Sequence, residues 1–180
     1  MTDQKATSAG LDLRDYVRDI PDFPRPGIVF RDITPMLLEP RALRAGVEAL
    51  AALARPLAPE IILAAEARGF IFGAALALEL GAGFVPARKP GKLPFEVVSA
   101  EYELEYGADS LEVHADALAG GARVLLHDDL LATGGTARAV CQLADRLGAE
   151  VLGCVFLVEL TSLGGRERLE PYPVESVVQY

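Results

Sequence analysis

The chain has 180 residues, 51% of them hydrophobic, the length of one ordinary domain with apolar material for one sizeable core; disorder over most of its length is excluded. It carries 17 Lys and Arg against 26 Asp and Glu, a net charge of −9, so it repels polyanions and no nucleic-acid partner is expected. Cys141 and Cys154 match neither a disulfide framework nor a zinc site and read as reduced core residues. Residues 1–10 read as a disordered tail without the apolar segment of a signal peptide. No later run is long enough to span a membrane, so a cytoplasmic protein with no membrane partner is expected.

After the tail, Leu13, Tyr16, Val17 and Ile20 recur at helical spacing, which predicts a helix over 11–20. Pro21, Pro24, Pro26 and Gly27 then predict an ordered irregular loop reaching Phe30, neither helix nor strand. Pro40 opens a helix with Leu43, Val47, Leu50 and Ala54 on one stripe, ended by Pro56. From there short apolar runs alternate with helical patterns, the signature of β-α-β units around a parallel sheet. Strands are predicted at Ile61–Ala65, Gly83–Ala87, 124–127, 151–157 and Val174–Gln179. A helix over 70–80 ends at Gly81, and another carries Val140, Leu143, Ala144 and Leu147 and stops at Gly148. Segments 97–106 and 110–117, joined by 107–109, predict a hairpin. The fold class is therefore α/β, a mainly parallel twisted sheet flanked by helices, in one domain over 11–180.

The strongest chemical signal is VLLHDDLLATGGTA, residues 124–137. A buried strand delivers Asp128 and Asp129, and the small residues Ala132, Thr133, Gly134, Gly135 and Thr136 open a helix. Backbone amides of such a turn converge on a phosphate, helped by the positive end of the helix dipole. The carboxylates repel phosphate and suit sugar hydroxyls, so the pair of features reads as a ribose 5-phosphate site. Taken alone, TGG reads better as a tight strand-to-helix turn with a threonine cap, and it is the fourteen-residue context that reverses this. Of the three lysines in the chain, Lys89 and Lys92 fall with Arg88 in RKPGK after a strand end, where a polyanion is tolerated. Arg68 and Gly69 follow the first core strand in the same way.

The 124–137 segment resembles the phosphoribosyl-pyrophosphate (PRPP) motif of type I phosphoribosyltransferases. Together with PDFPRPGIVFRDITP (21–35), ARGF (67–70), RKPGKLP (88–94), YELEYG (102–107) and LVELTSLGGRERL (157–169), it resembles the adenine phosphoribosyltransferase family. The resemblance implies a reaction of adenine with PRPP giving AMP and pyrophosphate, with Mg2+ bound mainly through PRPP and water rather than protein ligands. It implies that Arg68, Arg88, Lys89 and Lys92 bind pyrophosphate in a homodimer, one of them able to reach in from a partner subunit. Asp128, Asp129, Ala132, Thr133, Gly134, Gly135 and Thr136 would bind the ribose 5-phosphate. Glu105 would be the catalytic residue that moves a proton at the purine, and Tyr106 would cover the site from a mobile hairpin loop. A small hood over about 11–40 would read the base, with main-chain groups of Val29 and Arg31 pairing with adenine while Phe30, Leu130 and Leu160 pack on its faces. One N–H and one C=O suffice to tell adenine from a 6-oxo purine. His127 stands where the family usually has an aliphatic residue and reads as a partly buried neighbour of Asp128, not a metal ligand. His114 is expected to be exposed. Two alternatives stay open: another acceptor base on the same fold, and a PRPP-sensing regulator without catalysis.

Overall fold

The computed structural model describes residues 7–8, 10–104, 107–118 and 120–180. Thr7–Ser8 (β1) pairs antiparallel with Leu11–Asp12 (β2); residues 1–6 and 9 of the expected tail lie outside the described residues. No helix forms over 11–20. The Asp12 carboxylate accepts from the Arg14 amide at 3.0 Å and caps a single 3-10 turn, Leu13–Tyr16. Arg18–Pro21 (β3) then pairs antiparallel with Val29–Asp32 (β4), so the expected irregular loop is irregular only between these strands. The spacing that suggested a helix is met instead by burial of Leu13 and Val17 in the core. A helix continued to Ile20 would have left the backbone of Val29–Asp32 without its partner strand.

Asp32 lies just ahead of the next element, accepting from the Thr34 amide at 2.9 Å and from the Arg18 guanidinium at 2.6 Å. Burial raises this carboxyl, but the Thr34 and Arg18 hydrogen bonds outweigh it and bring it to about 2. The short helix α1 (Thr34–Leu38), not anticipated from the pattern, follows, then α2 (Pro40–Ala54), as expected.

The central sheet contains β5 (Ile61–Ala65), β6 (Gly83–Ala87), β9 (Arg123–Leu131), β10 (Glu150–Glu159) and β11 (Val174–Gln179), all parallel in the order β11-β10-β9-β5-β6. Between them run α3 (Gly69–Leu80), the antiparallel hairpin of β7 (Val97–Leu104) and β8 (Gly107–His114), α4 (Gly135–Arg146) and the one-turn α5 (Gly165–Arg168). Successive strand residues alternate between two apolar layers. Leu63, Leu126 and Phe156 pack with Val140 and Leu143 of α4; Ile62, Leu125 and Val155 pack with Leu50 of α2 and Phe72 and Leu76 of α3. A sheet covered on both faces explains why its strands read as unbroken apolar runs. Gly81 ends α3 at φ +69°. Cys141 and Cys154 are buried free thiols, their sulfurs in hydrogen-bonding contact at 3.6 Å. No helix among the described residues is long and apolar enough to cross a membrane.

Two boundaries differ most from expectation. In the hairpin, residues 107–109 belong to β8 itself, with Gly107 opposite Leu104. The strand expected to end at His127 continues to Leu131, which places Asp128 and Asp129 inside it.

Candidate active site

That longer strand creates the site. β5 pairs with β9 only as far as Ala64–His127, whereas β10 follows β9 to Leu131, so one edge of β9 is left open beside the two aspartates. The 66–68 turn after β5 fills it. Arg68 Nε lies 2.9 Å from the buried Asp129 carboxylate, and a Cβ on Gly69 would stand 2.7 Å from Asp128 Oδ1. A larger residue there would push the Asp128 carboxylate aside. Burial raises the Asp128 carboxyl well above its ordinary value and the Asp129 charge adds to this. Burial raises Asp129 too, against the pull of Arg68. Two such carboxyls resist ionising together.

Asp128, Leu130 and residues 131–137 line a cavity of about 80 Å³, the space of roughly two to three waters and enough for one phosphate group. Its floor is the start of α4, whose first amides have no intrahelical acceptor. Gly134 takes φ +79° to enter the helix. A second turn closes the wall: a Cβ on Gly134 would lie 2.6 Å from the Gly165 carbonyl oxygen, and one on Gly165 2.2 Å from that of Ala132. Ala132, Thr133, Gly134, Gly135 and Thr136 thus come together with Asp128, as their spacing predicts.

Arg88 and Lys89 are organised by Glu66, which pattern reading did not single out. Its carboxylate accepts from the Lys89 amide at 3.0 Å and Arg88 Nε at 3.1 Å, and the Lys89 amide is the main reason the carboxyl sits below its ordinary value. Arg88 also donates to the Lys92 carbonyl at 3.2 Å, while the Lys92 side chain is exposed. The Arg88 backbone bridges to Glu112 of β8, tying the basic loop to the hairpin. Glu105 and Tyr106 lie outside the described residues.

Val29, Phe30 and Arg31 lie on β4, where Phe30 meets Phe23 edge-on at 5.2 Å. The Arg68 guanidinium also stands 5.0 Å above the Phe30 ring, so one side chain links β4 to the acidic pair. Leu130 and Leu160 are half-buried against one apolar layer, and the Leu160 amide donates to the Leu131 carbonyl at 2.9 Å.

His127 is fully buried rather than partly so. Its Nδ1 lies 3.0 Å from the Val155 carbonyl, an acceptor only, so Nδ1 carries the proton. Burial lowers the ring to about 4. His114 is half-buried, not exposed, with its ring edge-on to Phe95.

Glu159, Gly165 and Tyr180 were also missed. Glu159 is 3% exposed and accepts from Arg166 Nε at 3.0 Å and Nη2 at 2.7 Å, from Ser176 and from Gln179. An acid at the end of the apolar run VLGCVFLVE was its visible signal, because a charge is buried only when paired.

The phosphoribosyl transferase domain pattern matches residues 37–178. The adenine phosphoribosyltransferase of Methylococcus capsulatus is 59% identical over 171 residues, covering 93% of this chain and 98% of that protein. The one from Rhodopirellula baltica is 57% identical over 170 residues, covering 94% and 82%. Among solved structures, adenine phosphoribosyltransferase from Thermoanaerobacter pseudethanolicus superposes with a TM-score of 0.91 at 52% identity, covering 93% of this chain and 98% of its own. That from Saccharomyces cerevisiae, solved with adenine and an imino-altritol bisphosphate, gives 0.88 at 39% identity, covering 92% and 96%. With residue identity and backbone agreeing from the first core helices to the last strand, this chain belongs to the adenine phosphoribosyltransferase family.

Proposed function

We propose that the chain transfers the 5-phosphoribosyl group of PRPP to adenine, giving AMP and pyrophosphate. The observation that carries this is the cavity at the start of α4, with a carboxylate on its wall and Arg68 spanning from the acidic pair to Phe30. The 5-phosphate would rest on the amides of 133–136 and the ribose hydroxyls on Asp128 and Asp129. Arg68, Arg88, Lys89 and Lys92 would take the pyrophosphate, whose departure leaves a cation-like sugar that adenine attacks. For that, Arg68 must exchange Asp129 for the leaving group. Val29 and Arg31 would pair with the base edge, Phe30, Leu130 and Leu160 would pack on its faces, and the N-terminal segment of about 11–40 would act as the hood. Glu105 would hold the proton of the base, and Tyr106 would help exclude water.

The donor set suits Mg2+ carried by PRPP. Asp128 is the one acid lining the cavity among the described residues, Asp129 is drawn to Arg68, and a small, reluctantly dehydrated ion keeps substrate oxygens and water as ligands. When bound, it neutralises charge on the pyrophosphate. A homodimer is supported by α3, which is apolar but for Glu79 and leaves Ile71 44% and Leu78 84% exposed opposite its buried face. A cytoplasmic location fits a metabolic enzyme of this kind.

The test is AMP formation from labelled adenine, PRPP and Mg2+ beside hypoxanthine, guanine and orotate, with sedimentation of the same sample expected at twice the chain mass. Turnover of adenine alone is expected, and sharply reduced turnover in Glu105→Gln. PRPP binding without turnover of any base would leave the regulator instead. A smaller prediction concerns His127. A ring held neutral to about pH 4 has no proton to exchange near neutrality, so His127→Val keeps the limbs of the kcat/KM pH profile in place. Loss of a limb between roughly pH 6 and 8 would contradict this.

A further inference from the structure

The base-reading strand is held from behind by a residue far away in sequence. The Arg31 guanidinium pairs with Asp19 on the neighbouring strand β3 and stands over the face of the Tyr180 ring, its Cζ 3.9 Å from the centroid. Arg31 Nε is buried with no acceptor, so the ring face and one exposed carboxylate are what fix this side chain. Tyr180 is itself fixed through its backbone. Its amide donates to the Glu159 carbonyl at 2.9 Å, and its carbonyl accepts from the Thr161 amide at 2.9 Å and hydroxyl at 2.7 Å. Those bonds enclose Leu160. One residue therefore joins β4, with Val29 to Arg31, to the segment that carries Leu160.

We infer that Tyr180 is a positioning residue for the base: its ring sets Arg31, and with it the β4 main chain, at a fixed separation from Leu160. This rests on the adenine reading of the site and assigns Tyr180 no contact with substrate. A β-hairpin outside the main sheet is otherwise tied down by few contacts and moves easily. A stacked guanidinium holds it without closing the pocket, because the attraction acts through the ring face. Main-chain pairing with a purine edge tolerates little displacement, so a slack β4 weakens base capture while the PRPP cavity, built from β9, α4 and the 164–165 turn, is untouched.

The experiment measures KM for adenine, KM for PRPP and kcat in wild type, Tyr180→Phe, Tyr180→Leu and Tyr180→Ala, with thermal melting of each. Tyr180→Ala is expected to raise the KM for adenine about tenfold, with kcat and the KM for PRPP within about twofold, the pattern of lost uniform binding. Tyr180→Phe, which keeps the ring, is expected to match wild type. Tyr180→Leu keeps apolar bulk without a π face and carries the test should Tyr180→Ala not fold; it too should raise the KM for adenine alone. An unchanged adenine KM in the Leu or Ala variant overturns the proposal. So does a parallel rise in both KM values, which a merely structural role would produce. Wild type that turns over no adenine would instead overturn the functional reading on which the proposal rests.

Discussion

Gly165→Ala lowers kcat/KM for PRPP about 100-fold, because displacing a binding group by about 1 Å has consequences of that order. The new methyl would stand 2.2 Å from the Ala132 carbonyl oxygen and 2.9 Å from Leu131 Cδ1. Ordinary contact needs more than 3 Å, and the crowded atom is backbone, so no rotamer change relieves it. The turn that moves is 132–136, the one proposed to hold the 5-phosphate. Retreat of the 164–165 turn instead is opposed by Arg166, two residues from Gly164, whose guanidinium is clamped by the buried Glu159 carboxylate at 2.7 and 3.0 Å. Overpacking of this kind also destabilises by about 1–3 kcal/mol, so activity is compared below the Tm of the variant. Gly83→Ala is the control: its methyl meets Glu60 O and Ile61 at an ordinary 3.7 Å and should leave kcat/KM and KM unchanged. Wild-type KM for PRPP in Gly165→Ala would show that the wall does not position the turn.

Gly165 also marks where sequence reading stops. The Thr133–Thr136 turn is legible because its chemistry is local: small residues between a strand and a helix leave amides free whatever surrounds them. The five sheet strands are legible for a similar reason, since Ile61–Ala65 or the apolar part of β10 can be satisfied only under cover on both faces. The contact between Gly134 and Gly165 depends on how β9 and the segment after β10 converge, and no spacing rule encodes it. The error over 11–20 has the same origin. Leu13 and Val17 do face one side together, but the core reaches them through a single 3-10 turn, and the chain beyond is claimed by strand pairing with Val29–Asp32. Two adjacent acids interrupt the apolar run after His127, and charge ordinarily marks solvent. Asp129 is instead 3% exposed and neutralised by an arginine from the 66–68 turn.

Asp128→Asn is expected to make the protein more stable and the enzyme worse. Burial and the neighbouring Asp129 charge raise the Asp128 carboxyl well above its ordinary 3.8, so the native state holds this proton to higher pH than the unfolded chain does. The sign follows directly. Between 3.8 and the raised native value the native state binds more protons, stability falls as pH rises, and above that value the full penalty persists. Neutral asparagine removes both the half-buried charge and its repulsion of Asp129, while leaving the Arg68–Asp129 pair in place. A rise in Tm of about 3–5 °C near pH 8 is expected, shrinking toward zero at about pH 4, where wild-type Asp128 is protonated as well. The same change takes a charged acceptor from the ribose hydroxyls, which lowers kcat/KM for PRPP about 10- to 100-fold. Thermal melts across pH and PRPP kinetics on one preparation test both halves. A Tm gain that does not depend on pH would mean that packing, not charge, separates the variants. Unchanged kinetics beside a pH-dependent gain would mean that the Asp128 carboxylate does not face the sugar. The two effects should appear together, because the desolvation that strains Asp128 in the folded protein is what strengthens its hydrogen bonds to a bound sugar.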